Sequence, residues 1–150
     1  MFQVEPIEGV AASERRGVYW LRGALSLKEE AKSTLLELDP TDPIRRKLQR
    51  AFDYWVNGHP NDKLHHGWDK SEYEGEFVKM HAFKGNDYRL YGLKINPLPS
   101  NLRYQACILI GSYRSKKRYE APVETMRRFL VVGDKREFTT SVESYFEGQQ

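Results

Sequence analysis

The chain has 150 residues, a formal net charge of +3, and 39% hydrophobic and 30% charged residues. This length predicts one domain over residues 1–150 with a buried core, and no uncharged apolar run approaches the roughly 18 residues that a membrane helix needs. The first twenty residues lack the apolar segment of a signal peptide. Cys107 is the single cysteine, which excludes an internal disulfide framework, and in "QACILIG" it is expected to be a small buried hydrophobe. We therefore expect a cytoplasmic protein that does not enter membranes.

The first half of the chain predicts one strand followed by two helices. Residues 17–25 have the composition of a strand, and residues 26–38 have the apolar spacing of a helix. In the second helix Asp42 can cap the start, Pro43 fits the first helical position, and Gly58 ends the apolar pattern. The short connection predicts that the two helices pack as an antiparallel pair.

The second half is rich in strand signals. Residues 59–75 are polar and are predicted to form a loop. Residues 75–83 and 87–95 predict a hairpin around "KGND", because apolar and polar residues alternate on both sides of a short turn. Residues 103–113 are almost continuously apolar, which is typical of a central strand.

Two further helices are predicted near the C-terminus. Pro122 is expected to start one of them, and Thr140 with Glu143 has the capping-box spacing of a short terminal helix. The predicted order is a strand, a helix pair, three strands and then helices. This order indicates an α+β domain, in which an N-terminal strand and a helix pair pack on a small antiparallel sheet.

The positive charge is unevenly distributed. Residues 113–136 contain eight lysines or arginines and three acidic residues, a local surplus larger than that of the whole chain. A basic segment beside aromatic residues suits the phosphate backbone of a nucleic acid. A solvated helix face would have the same composition, so the charge by itself leaves both interpretations open.

The order and spacing of these features resemble the RelE/ParE superfamily of bacterial toxins, particularly its HigB-like and phage-derived members. The resemblance is carried by a leader ending in Leu64, the strand "GEFVKMHAF", the pair Tyr88–Arg89, the segment "CILIGSYRSKK" and Pro122.

The resemblance covers about residues 15 to 130 and leaves residues 131–150 as a helical extension. Two departures from the family pattern are visible. Val78–Lys79–Met80 stands where members have a Glu-Leu-Arg type of triplet, so the usual arginine of that strand is missing. The C-terminal segment is also longer than is common in the family.

The resemblance implies the toxin of a type II toxin–antitoxin system, a ribosome-dependent endoribonuclease that cleaves messenger RNA and is neutralised by a cognate antitoxin protein. No cofactor or metal is implied. In metal-free cleavage the 2′-hydroxyl attacks the adjacent phosphorus and a cyclic phosphate forms. The protein must orient this in-line attack and stabilise the charge that grows on the phosphoryl oxygens.

The resemblance also implies catalytic residues. Arg89 matches the arginine of the second hairpin strand and would hold the phosphate, for which a guanidinium is suited. Lys116 and Lys117 match the lysine pair after the central strand. His81 could transfer protons, because histidine alone has an unperturbed pKa near 7. Each residue also has a purely structural interpretation. Arg89 could simply lie on an exposed face of the sheet, and His81 could be a half-buried residue of the sheet.

Further residues are candidates for RNA binding. Arg114 and Arg118 flank the lysine pair, and Lys94 lies on the predicted hairpin. Tyr113 or Tyr119 could stack on a base.

A metal site is not expected at His65, His66 and Asp69. Adjacent histidines on a strand point to opposite faces, and no supporting ligand motif accompanies them.

A second class of function stays open. The superfamily also contains ParE-like members that attack DNA gyrase, and the chain could instead be a noncatalytic phage or bacterial accessory protein that binds nucleic acid or a protein partner. An endoribonuclease should place Arg89, His81 and residues 114–118 around one concavity. A noncatalytic binding module could leave them on separate surfaces, since binding to phosphate needs only positive charge.

Overall fold

The computed structural model describes residues 2–23, 38–59, 65–73, 76–86, 88–114 and 136–148. Within these ranges six strands and two helices form. In chain order they are β1 (Phe2–Pro6), β2 (Arg16–Gly23), α1 (Pro43–Val56), β3 (His65–Tyr73), β4 (Glu76–Gly85), β5 (Tyr88–Ile95), β6 (Gln105–Arg114) and α2 (Arg136–Glu147).

The strands form one sheet in the order β1-β2-β6-β5-β4-β3. Four of its five neighbouring pairs are antiparallel, but β2 and β6 run parallel, with Val18 opposite Cys107 and Trp20 opposite Leu109. The α+β class is therefore confirmed, whereas the sheet is mixed and not purely antiparallel as predicted. Hairpin signals report only strands that are close in sequence, and these must reverse direction. Strands as distant as β2 and β6 are free of that constraint.

Helix α1 confirms its predicted boundaries. Asp42 adopts an extended conformation, and its Oδ1 accepts a hydrogen bond from the Ile44 N–H at 2.8 Å. Pro43 occupies the first helical turn, where no backbone donor is needed. The helix ends before Gly58, which has a φ of +74°. Neither described helix combines the length and hydropathy required to cross a membrane.

The predicted hairpin is also confirmed. β4 and β5 pair antiparallel around a turn in which Asn86 has a φ of +55°. Ala82 and Phe83 lie in core layers on opposite faces of the sheet, as the alternation predicted. β6 lies between β2 and β5 and is buried over residues 106–111, which confirms a central strand.

Three local predictions differ from the structure. β1 was not predicted, and β3 occupies most of the segment predicted as a loop. The polar sequence of β3 forms a strand because it pairs with β4 at the sheet edge, where apolar residues are not required. Helix α2 begins at Arg136, so Thr140 lies inside the helix and does not cap it. The helix predicted over 26–38 lies outside the described residues except for Leu38, which is not helical, and the helix predicted from Pro122 lies outside them as well.

The core has one layer on each face of the sheet. The first layer, beneath α1, contains Leu48 and Phe52 of the helix and Phe83, Leu90 and Leu109 of the sheet. The second layer, beneath α2, contains the apolar residues of the opposite face, among them Tyr91, Ile108, Val142 and Phe146. Among the described helices, α1 therefore packs on one face of the sheet, the α1 face, and α2 packs on the other, the α2 face.

Candidate functional site

Three of the predicted site residues meet at one end of the sheet. Arg89 on β5 lies opposite Tyr113 on β6, and Tyr88 lies opposite Arg114. The main chain therefore brings Arg89 beside a segment more than twenty residues later in the sequence. The candidates that follow Arg114 and Ser115 in the sequence lie outside the described residues: Lys116, Lys117, Arg118 and Tyr119.

Arg89 lies on the α2 face of the sheet. It is half-buried and stands two residues before Tyr91, whose side chain belongs to the core layer beneath α2. Residues two apart on a strand point to the same face. The phosphate-binding candidate and the second core layer therefore share one side of the molecule.

His81 lies on the opposite face. Its ring centroid is 6.4 Å from that of Trp55 on α1, with the two planes at 69°. Along the β4–β5 ladder it stands three pairs away from the pair formed by Lys84 and Arg89, about 10 Å at the usual rise per residue. The structure therefore does not bring His81 and Arg89 together around one concavity.

The environment of His81 changes its chemistry. Burial, together with the smaller effects of the positive charges of Lys94 and Arg16, lowers the pKa of the imidazole to about 4. His81 is therefore neutral at pH 7 and is a weaker base than an ordinary histidine. A group with a pKa so far from neutrality is poorly matched to general acid–base catalysis.

Lys94 belongs with His81 and not with Arg89. It is exposed and lies opposite Cys107, while its neighbours Leu93 and Ile95 pack in the core layer beneath α2. Lys94 therefore points to the α1 face, where its charge acts on His81. The predicted residues are thus divided between the two faces of the sheet.

Arg16 is a cation of this α1-side group that sequence reasoning missed. Its Nη1 donates a hydrogen bond to the Trp55 carbonyl oxygen at 3.0 Å, and its guanidinium carbon is 5.0 Å from the centroid of the Trp55 ring. This geometry is a cation–π contact reinforced by the hydrogen bond. No spacing pattern could have revealed it, because the two residues are 39 positions apart.

A second overlooked feature is the outer face of α1, the helix face turned away from the sheet. Arg45, Arg46 and Arg50 line a groove of about 590 Å³, with Glu8 and Asp53 as its acidic residues. Arg45 donates to the Leu38 carbonyl oxygen at 2.9 Å, whereas Arg46 and Arg50 are exposed. The run "RRKLQR" indicates a positively charged helix surface, because it contains four cations within six residues.

Cys107 is fully buried, as expected for a small hydrophobe, and burial raises the pKa of its thiol. Among the residues that the structure describes, no cluster of three or more histidine, cysteine or carboxylate side chains is arranged to hold a metal ion. His65 and His66 are consecutive residues of β3.

Comparison with known proteins gives no relative from which to transfer a function. No family model matches the chain, and no significant match was found among curated proteins or solved structures. The functional interpretation therefore depends on the residues and on their placement in the sheet.

Proposed function

We propose that this chain is a RelE-like toxin, an endoribonuclease that cleaves ribosome-bound messenger RNA without a metal ion and is held inactive by a cognate antitoxin protein. The observation that best supports this proposal is the β5–β6 register. It sets Arg89 opposite Tyr113, at the end of the sheet where the chain enters its basic segment. An arginine whose strand partner leads into a sequence rich in lysine and tyrosine suits RNA, because a guanidinium binds phosphate oxygens and aromatic rings stack on bases.

In the proposed reaction the 2′-oxygen forms a bond to phosphorus and the bond to the 5′-oxygen breaks, leaving a cyclic phosphate and a 5′-hydroxyl. Arg89 would bind the nonbridging oxygens, and Lys116 and Lys117 would add positive charge as the phosphorane develops. We assign proton transfer to the 113–119 segment, because His81 lies on the other face and its pKa is low.

Induced expression in a bacterium tests this proposal. The wild-type chain should arrest growth and produce new messenger RNA 5′ ends in primer extension. Arg89→Gln and the double variant Lys116→Gln/Lys117→Gln should lose both effects. Arg103→Gln removes an exposed arginine elsewhere and should retain both effects, as should His81→Phe.

Two outcomes would contradict the nuclease. Normal growth with a folded wild-type chain would remove the toxin function altogether. Growth arrest without new RNA ends would favour the alternative in which the chain attacks DNA gyrase. Circular dichroism of each purified variant separates loss of activity from loss of fold.

The alternative of a noncatalytic nucleic-acid-binding module is favoured by a specific observation. His81 and Arg89 lie on opposite faces of the sheet, and the arginine-lined groove of α1 is on the side away from Arg89. Positive groups on two sides can bind phosphates without forming a reaction centre.

The salt dependence of RNA binding tests this alternative. Replacing both arginines in Arg46→Gln/Arg50→Gln should reduce the slope of log K against log salt concentration by about 1 to 2 if both contact phosphates. Arg103→Gln/Arg15→Gln removes two exposed arginines outside the groove and should leave the slope unchanged. Equal slopes for the wild type and the α1 variant would exclude α1 as the binding surface.

A further inference from the structure

A separate pocket of about 320 Å³ lies at the edge of the core layer beneath α2. It is formed where the connection between β1 and β2 and the loop before β6 approach that helix. Its volume lies at the lower end of the range of small-ligand sites, about 300 to 1,000 Å³. The lining residues that matter here are Tyr19, Tyr104, Tyr145, Phe146, Leu98 and Ala12.

Aromatic rings form one wall of this pocket. Phe146 is at the centre, with ring centroids 5.0 Å from Tyr19, 5.1 Å from Tyr145 and 5.8 Å from Tyr104. The plane of the Phe146 ring makes angles of 82°, 86° and 56° with the ring planes of Tyr19, Tyr145 and Tyr104, respectively. Rings held at such angles present both edges and faces, which are the two surfaces that another aromatic ring prefers.

Two of the lining residues, Tyr19 and Tyr104, also carry polar groups. The hydroxyls of Tyr19 and Tyr104 are hydrogen-bonded to each other, and within the described residues neither has a second hydrogen-bond partner. The mutual bond uses one of the two hydroxyl protons, so the pair retains one donor and several lone pairs for a ligand. Burial raises the pKa of both tyrosines, and both hydroxyls are therefore neutral at physiological pH.

Gly17 makes room for this hydroxyl pair. A Cβ atom at position 17 would stand 2.5 Å from the Tyr104 hydroxyl oxygen and 2.6 Å from that of Tyr19. These distances are shorter than carbon and oxygen atoms tolerate without contact strain. The two hydroxyls therefore meet over bare backbone, a position that any other residue would disturb.

The electrostatic character of the pocket limits what it can bind. None of the lining residues carries a charge, so an ionic ligand would lose its hydration without gaining an opposing charge. The carboxylate of Glu5 acts on Tyr145, whose pKa is raised by burial and by this negative charge. An anion is therefore disfavoured most strongly.

We propose that this pocket binds a small, neutral, planar aromatic molecule that carries one hydrogen-bonding group. The ring packs against Tyr145 and Phe146, and the polar group bonds to the Tyr19–Tyr104 pair. This binding site is distinct from the Arg89 end of the sheet, and it does not depend on the proposed RNA cleavage.

A titration of the full chain with p-cresol, followed by aromatic ¹³C–¹H NMR, tests the proposal. Saturable shifts of the Tyr19, Tyr104 and Tyr145 ring signals are expected, with a Kd of about 1 mM or below for a ligand of this size. Benzoate and benzylammonium, which are matched in size but charged, should bind more weakly. Tighter binding of either ion, or no saturable shift with p-cresol, would overturn the proposal.

The neighbouring alanines supply a matched pair of variants. Ala12 lines the pocket and Ala11 does not, and both are exposed. Ala12→Phe should fill the pocket and raise the Kd of p-cresol by about tenfold or more, whereas Ala11→Phe should leave the Kd unchanged. Equal affinity of the two variants would place the ligand elsewhere.

A second pair of measurements tests the polar group. Tyr104→Phe keeps the ring and removes one hydroxyl. It should weaken p-cresol binding by about fivefold, the equivalent of one hydrogen bond, and leave toluene binding unchanged. An equal loss for both ligands would mean that the hydroxyl pair has no part in recognition. N-acetyltyrosinamide, which represents a tyrosine side chain in a protein, should bind more weakly than p-cresol. Tighter binding of N-acetyltyrosinamide would overturn the proposal of a free small ligand and indicate that the pocket binds an aromatic side chain of a partner protein.

Discussion

Burial explains why His81 is less suited to proton transfer in the folded protein than its residue type suggested. Its residue type suggested proton transfer, because the ordinary pKa of 6.5 lies close to neutrality. In the structure the ring lies against Trp55, and the cations Lys94 and Arg16 act on it. Desolvation and like charge both disfavour the protonated form. The same imidazole therefore becomes a contributor to the pH dependence of stability.

We predict that His81 makes the protein less stable in acid. Its folded pKa of about 4 lies below the ordinary value, so the unfolded chain binds more protons between these two pH values. The free energy of unfolding is then highest above pH 6.5 and falls as the pH approaches 4. We expect the free energy of unfolding to fall by about 2 kcal/mol between pH 7 and pH 4.5. This is less than the full pKa shift of His81 would give, because the ring is partly exposed and solvent screens it.

Urea unfolding at the two pH values measures this effect. His81→Phe should flatten the pH dependence, while His59→Gln, which removes an exposed imidazole, should retain the wild-type dependence. An unchanged dependence in His81→Phe would assign the acid sensitivity to other groups.

Helix α1 is the element whose local signals agree best with its environment. Asp42 and Pro43 start it, and Leu48, Phe52 and Trp55 at helical spacing form the face buried against the sheet. Its outer face contains the arginines of the groove. The apolar residues that pack on the sheet and the charged residues of the groove therefore lie on different faces of the helix.

We predict that the N-cap contributes measurably to stability. Asp42→Ala removes the acceptor for the Ile44 N–H and should lower the free energy of unfolding by about 1 kcal/mol. Asp42→Asn keeps a capping oxygen and should stay within a few tenths of a kcal/mol of the wild type. Urea unfolding of the three chains gives the comparison, and equal losses in both variants would point to the charge of Asp42 instead of its hydrogen bond.

The molecule as a whole is built around β6. This strand has neighbours on both sides, and Ile108 and Leu109 are almost completely buried in the two core layers. Among the described strands, β1 lies at one edge of the sheet and has β2 as its single neighbour. Stability should therefore decrease from the centre of the sheet toward this edge.

Native-state hydrogen exchange measures that gradient. The amides of Ile108 and Leu109 should exchange only by global unfolding, with a strong dependence on denaturant. The protected amides of β1 should exchange faster through local opening and depend weakly on denaturant. Equal exchange free energies at the two positions would mean that the sheet opens as one cooperative unit.

Much of the fold was predictable because its signals are local. The cap at Asp42, the alternation at Ala82 and Phe83, and the apolar run that includes Cys107 all act within a few residues. β3 was missed because its sequence is polar and its strand depends on β4. The parallel pairing of β2 with β6 was missed because no short-range pattern reports it.

The sequence by itself determined the helix, the hairpin, the central strand and the residue types available for binding. Only the tertiary structure decided which of these residues are neighbours. The hairpin register pairs Arg89 with Lys84, and a shift by one residue would have moved Arg89 to the face of His81. The aromatic pocket likewise joins Tyr19, Tyr104 and Tyr145 from three distant segments. Local propensities specify elements, whereas sites arise from strand register and long-range packing, which depend on the whole chain at once.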